Sequence, residues 1–226
     1  MAKKILVSVL LSLLSCAAAA VQLEVAVGQT EWQKSNATDW WQEGPASEGF
    51  YNTFNLKSTS YRVGVAGYVS TSVRYRAGYA NLGSVSSRAG ATNFDSQYDM
   101  VNKRCVDPSS CEIVDYVGGG SADGYYFTLA PEYRAGSWAL FGELGLWAYF
   151  PKFSMSKFHK SGQVDRLDIN SAMQVGPVAG VGARYGDLSV VFRMYHTNYS
   201  GQMDSGSNMP AIYQGYASEL SVGWEF

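Results

Sequence analysis

Two histidines occur in the 226 residues, and one of them, His196, has a hydroxyl nearby in sequence. It sits in Arg193-Met194-Tyr195-His196-Thr197-Asn198-Tyr199-Ser200. An imidazole can lend basicity to a serine hydroxyl, and a carboxylate must then orient the imidazole. Ser200 is four residues on, and no acid has an obvious place beside the pair. His196 and Ser200 are therefore only weak catalytic candidates, and the histidine reads as an interfacial residue closing a strand. The other histidine, His159, lies in the basic and aromatic run Lys152-Phe153-Ser154-Met155-Ser156-Lys157-Phe158-His159-Lys160, which suits contact with phosphates or an anionic polymer. Cys105 and Cys111 flank Val106-Asp107-Pro108-Ser109-Ser110 and are expected to form a disulfide in an oxidising compartment. A reduced or metal-binding pair is the alternative, but no histidine or further cysteine lies close enough to complete a site. The Gly118-Gly119-Gly120 run has no strand-to-helix context and says nothing about phosphate binding. No zinc, iron–sulfur or nucleotide motif is present, so no cofactor is expected.

A larger set of reactive groups emerges once the chain is divided into alternating segments. From Gln22, Leu23, Val25 and Val27 alternate with Glu24, Ala26 and Gly28. Seven further segments repeat the pattern, around Tyr61–Val69, Val73–Ala80, Tyr125–Tyr133, Trp138–Tyr149, Met173–Arg184, Val190–Tyr195 and Tyr216–Phe226. A period of two, apolar against small or polar, is the mark of strands with one face in an apolar medium. Collecting the less apolar face of every segment gives Glu24, Glu132, Glu143 and Glu219 with Arg62, Arg74, Arg76, Arg184 and Arg193. These nine ionisable groups could not face lipid, where an arginine at the midplane costs about 2–4 kcal/mol. Inside a closed barrel they can pair, and the planar guanidinium suits such forks.

The connections alternate between very short, at Ser70–Ser72, Arg134–Gly136 and Gly186-Asp187, and long. The long ones are read as Lys34–Lys57, Gly83–Asp123, Pro151–Asp168 and Asn198–Ile212. An up-and-down barrel with short turns at one end and external loops at the other produces this asymmetry. The expected fold is all-β: an eight-stranded antiparallel up-and-down transmembrane β-barrel with a polar, plugged interior, since eight strands leave room only for their own side chains. A water-soluble barrel would carry its apolar faces inward instead. Trp138, Tyr133, Tyr185, Trp224 and Phe226 would form one interfacial belt, with Tyr79, Tyr125, Phe150, Tyr199 and Tyr213 forming the other.

The chain ends agree. Lys3 and Lys4 precede an apolar run, Ile5–Leu14, and small residues ending at Ala20, so residues 1–20 read as a cleaved export signal of the Sec type and residues 21–226 as the barrel domain. Leu13-Leu14-Ser15-Cys16 resembles a lipobox and offers lipidation at Cys16 as the alternative. Loss of residues 1–20 removes two lysines and no acid, moving the net charge from −2 to −4, which gives no footprint for nucleic acid. The last strand places Leu220, Val222, Trp224 and the terminal Phe226 on one face.

That final strand resembles the closing strand of bacterial outer-membrane barrels, which the barrel assembly machinery reads. The architecture of residues 21–226 resembles the small barrels of the OmpX/Ail kind and the transmembrane domain of OmpA. The resemblance implies residence in the outer membrane and contact with its lipids and lipopolysaccharide. It also implies a non-enzymatic role for the external loops in adhesion, colonisation, binding a host surface ligand or envelope integrity. The position of His196 is similar to that in eight-stranded lipid A deacylases and palmitoyltransferases, which makes a lipid A or phospholipid-modifying enzyme the alternative. A narrow channel or small-ligand carrier is the third reading.

Overall fold

The computed structural model describes residues 21–34, 49–92, 98–99, 104–105, 112–170, 172–197 and 213–226. Twelve strands occur in it: β1 (Gln22–Lys34), β2 (Tyr51–Asn55), β3 (Lys57–Ser70), β4 (Val73–Thr92), β5 (Tyr98–Asp99), β6 (Arg104–Cys105), β7 (Ile113–Ala135), β8 (Trp138–Phe158), β9 (Val164–Asn170), β10 (Gln174–Tyr185), β11 (Leu188–Thr197) and β12 (Tyr213–Glu225). Eight of them close a ring of antiparallel neighbours in the order β1-β3-β4-β7-β8-β10-β11-β12. The first and last strands pair to close it, with Val27 opposite Val222, and Phe226 exchanges backbone hydrogen bonds with Leu23 at 2.9 and 3.2 Å. β2 continues the line of β3 along β4, and β9 continues the line of β10 along β8.

The faces separate a membrane barrel from a soluble one. Arg62, Arg76 and Glu143 are no more than 1% exposed, whereas Val63, Val222 and Leu144 are 49%, 47% and 71% exposed. The apolar side chains thus look outward and the ions fill the lumen, as expected from the alternation. The short-turn end is built as predicted: two-residue turns join β3 to β4, β7 to β8 and β10 to β11. Gly136 and Gly186 open two of these turns at φ 63° and 58°, a region that tight hairpins require and L side chains rarely adopt.

At the other end the sequence reading is corrected. Much of the segments read as loops is strand: Tyr51–Asn55, the continuation of β4 to Thr92, the start of β7 at Ile113, and β8 to Phe158 with β9 returning. β4, β7 and β8 have 20, 23 and 21 residues, against 10 to 14 in the other five ring strands. About twelve residues at about 3.3 Å each, tilted by about 40°, span about 30 Å. The three long strands, flanked by β2 and β9, therefore rise about 25 Å further as a wall extension. Two physical changes hide it. A bulge between Asn81 and Ser84, with Gly83 at φ 79°, shifts the parity of β4, so Leu82 and then Val85 point inward. Above it the outer face meets water, so Ser84, Ser86 and Arg88 are exposed while Val85, Ala89 and Ala91 are buried. The familiar apolar-outward pattern is inverted there.

Candidate functional site

The lumen is filled in two layers. At the short-turn half, the register stacks charged residues from strands far apart in sequence. Arg193 lies directly opposite Glu219, and Glu24 directly opposite Glu225. Two carboxylates facing each other across a ladder repel. The Arg76 guanidinium bridges them, at 3.3 Å from Glu24 and 3.5 Å from Glu225, and bonds Glu143 at 3.0 Å while covering the Phe141 ring. Arg193 forks onto both oxygens of Glu143 through Nε and Nη2. Arg62 reaches Glu24 at 3.5 Å, Glu219 at 3.4 Å and the Ser221 hydroxyl at 3.0 Å, while the Ser60 hydroxyl donates to Glu219. Lower down, Arg74 pairs with Glu225 at 2.8 Å and donates to the Gln22 amide oxygen at 2.7 Å, and Arg184 donates to Glu132 at 3.2 Å.

All nine ions on the polar face therefore lie in one network, joined by Glu225, which periodicity places on that same face but the sequence tally omits. With it, the ionic layer holds, among the described residues, five arginines (Arg62, Arg74, Arg76, Arg184, Arg193) and five glutamates (Glu24, Glu132, Glu143, Glu219, Glu225), and is neutral. Charges removed from water persist only when an opposite charge lies beside them, which explains the equality.

The second layer is aromatic. Trp147 stacks on Tyr149 with ring centroids 4.2 Å apart and meets Tyr195 edge-on at 5.0 Å. Trp147 sits opposite Gly176, whose missing side chain lets the indole cross β10 and donate to the His196 carbonyl at 2.9 Å. Pro177, beside that glycine, has no N–H of its own to offer. Tyr195 donates to Glu219 at 3.2 Å and so ties this septum to the ions below. Trp32, Leu82, Tyr126 and Phe153 complete the layer.

A ring of outward apolar residues, a neutral lumen of buried ion pairs and short turns confined to one end decide the class. The chain is a small eight-stranded β-barrel built inside out, apolar on its outer wall and ionic within. No protein-family model and no curated protein sequence matches the barrel. Among solved structures it is similar to the attachment invasion locus protein Ail of Yersinia pestis, at 12% identity over 92% of this chain and 99% of that one, with a TM-score of 0.40. It is also similar to Neisserial surface protein A, at 12% identity over 92% and 98% with a TM-score of 0.39. A third is a major outer membrane protein of Thermus thermophilus, at 13% identity over 92% and 100% with a TM-score of 0.47.

The other candidate residues fall elsewhere. His196 is half-buried on the outward face, 5.4 Å from the Tyr216 ring, and its Nδ1 has no hydrogen-bond partner. No carboxylate is bonded to it among the described residues, and Ser200 lies outside them. The disulfide also lies outside the described residues: the backbone of Cys105 belongs to β6, and Cys111 is not among them. Leu220, Val222, Trp224 and Phe226 stand exposed in a row along the outside of β12. Tyr133, Trp138, Tyr185, Trp224 and Phe226 ring the short-turn end, with Trp138 and Tyr185 in contact at 5.0 Å. On the other side Tyr61, Tyr79 and Tyr125 form a continuous aromatic patch; Tyr199 and the side chain of Tyr213 lie outside the described residues.

At the top of the extension, His159 bridges two strands. Its Nδ1 is 2.9 Å from Glu112 and its Nε2 2.9 Å from Asp165. These hydrogen bonds, that to Glu112 first, raise the imidazole above its ordinary value of 6.5. The same bonds hold both carboxylates below their ordinary range.

Proposed function

We propose that the barrel is a non-enzymatic integral outer-membrane protein whose wall is scaffold and whose extension and long connections make surface contact, in adhesion, colonisation or binding of a host surface ligand. The observation carrying this reading is the extension itself. It rises clear of the apolar band, exposes serines and charged residues outward, and keeps its own small core of Ala89, Ala91, Val114, Tyr116 and Met155. A wall built to continue past the lipid holds its top rigidly in water, as a contact surface needs. On this reading residues 1–20 are removed on export by the Sec route, the barrel assembly machinery reads the last strand, and lipopolysaccharide surrounds the outer belt. The test excises residues 93–111 and closes β4 to β7 with a two-residue turn, leaving their ladder intact. Cells carrying this variant should lose binding to host matrix while keeping the heat-modifiable gel mobility of a folded barrel. Undiminished binding would end the contact reading.

A further inference from the structure

The lumen is neutral, but its short-turn mouth carries one guanidinium more. Arg134, the next-to-last residue of β7, has no glutamate of its own. Its one ion-pair partner among the described residues is Glu132 Oε2 at 3.3 Å, an oxygen that also accepts from Arg184 at 3.2 Å and from the Tyr68 hydroxyl at 3.1 Å. The Tyr68 ring lies between two cations, the Arg134 and Arg74 guanidiniums at 4.7 and 5.1 Å from its centroid. Three arginines thus crowd one phenol, with Glu132 and Glu225 to balance them, and Glu225 is shared with Arg76. Arg184 Nε is buried without a hydrogen-bond partner, its nearest carboxylate contact being Glu225 at 3.9 Å. The further acid on these turns, Asp187, is exposed to solvent. Beside this cluster opens a pocket of about 330 Å³, lined by Arg134, Arg184, Tyr68, Gln22, Ser137 and Trp138 among others.

We propose that this mouth is a binding site for a phosphate oxyanion. Guanidinium N–H groups with unused donors, half-exposed at Arg134 and sheltered at Arg184, are the groups that bind phosphate in forked geometry. The Ser137 hydroxyl and the backbone of the Gly136 turn supply small polar walls. The pocket is larger than one phosphate and leaves room for a substituent on the ligand. Its rim includes Trp138, which belongs to the outward aromatic belt. A lipid lying against that belt can therefore place its head group over the turn, and a soluble phosphate ester can enter along the barrel axis. The site lies at the short-turn mouth and does not depend on what the opposite end contacts.

The experiment follows arginine Nε–H resonances of the folded protein in uncharged detergent. Inorganic phosphate is titrated in one arm and short-chain phosphatidylglycerol in the other, with a phosphate-free alkyl glycerol as control. Saturable shifts are expected at Arg134 and Arg184 but not at Arg193, deep in the lumen. Saturation by both probes identifies a soluble phosphate ligand, and saturation by the lipid alone identifies a head group; either supports the site. Arg134→Gln should weaken binding by about tenfold to a hundredfold while keeping heat-modifiable mobility, with Arg134→Lys falling between. Absence of a saturable shift with either probe, or unchanged affinity in folded Arg134→Gln, would overturn the proposal.

Discussion

Glu143 is the residue on which the lumen most depends, because two guanidiniums close on it from opposite sides of the barrel, Arg76 from β4 and Arg193 from β11. Glu143→Gln keeps the volume and removes the charge, so both arginines keep their own burial cost with one counter-ion fewer. The expected loss is about 3–5 kcal/mol, the range for breaking a buried pair from one side. Leu144, its neighbour in sequence, points into lipid, and Leu144→Met should change stability by less than about 1.5 kcal/mol. Urea unfolding of the two variants in bilayers measures the difference; equal midpoints would mean that the ion pairs do not hold the lumen. These residues were legible in the sequence because strand parity alone decides which side a side chain takes. Their partners were not, since which arginine meets which glutamate depends on the stagger between strands. Nor was the Trp147 bond to a backbone carbonyl, because it exists only where Gly176 and Pro177 make room on the next strand.

At the scale of elements, the ring strands could be read and the extension could not. Parity searches assume an apolar outside, and above Gly83 that assumption reverses while the bulge shifts the count by one. What holds the extension's top together is the His159 bridge between Glu112, just ahead of β7, and Asp165 on β9, with Lys157 also 3.1 Å from Asp165 and the Lys160 N–H donating to Glu112. With both ring nitrogens facing carboxylates, the bridge is complete only in the imidazolium form. A histidine whose value is raised on folding contributes fully below its unfolded value of 6.5 and loses that contribution as pH rises through the raised value. The carboxylates, lowered on folding, contribute above their ordinary 4.5 and 3.8 and lose that contribution as pH falls through the depressed values. The tip should therefore be tightest between about pH 4.5 and 6.5 and loosen on the alkaline side. Amide exchange of β9, corrected for the intrinsic pH dependence of exchange, reads this directly. His159→Gln should abolish the alkaline loosening, and its persistence in that variant would assign it to another group.

For the whole molecule, the two layers of the lumen act as seals in series. The ionic layer crosses the bore from β1 to β4, β8, β11 and β12 in salt bridges matched charge for charge. The aromatic septum lies above it, stacked and hydrogen-bonded to the wall. Wild-type barrel in a planar bilayer should accordingly show no stable conductance. Trp147→Ala with Tyr149→Ala removes the upper seal but leaves the salt-bridged layer, so that variant should also stay closed while running as a folded barrel on an unboiled gel. Conductance should appear only when a lower-layer change such as Glu143→Gln with Arg193→Gln is added, since both obstructions are then reduced. Steady ohmic steps from the septum variant alone would show that the ion pairs part readily enough to pass ions, and the lower layer would then be a gate and not a plug.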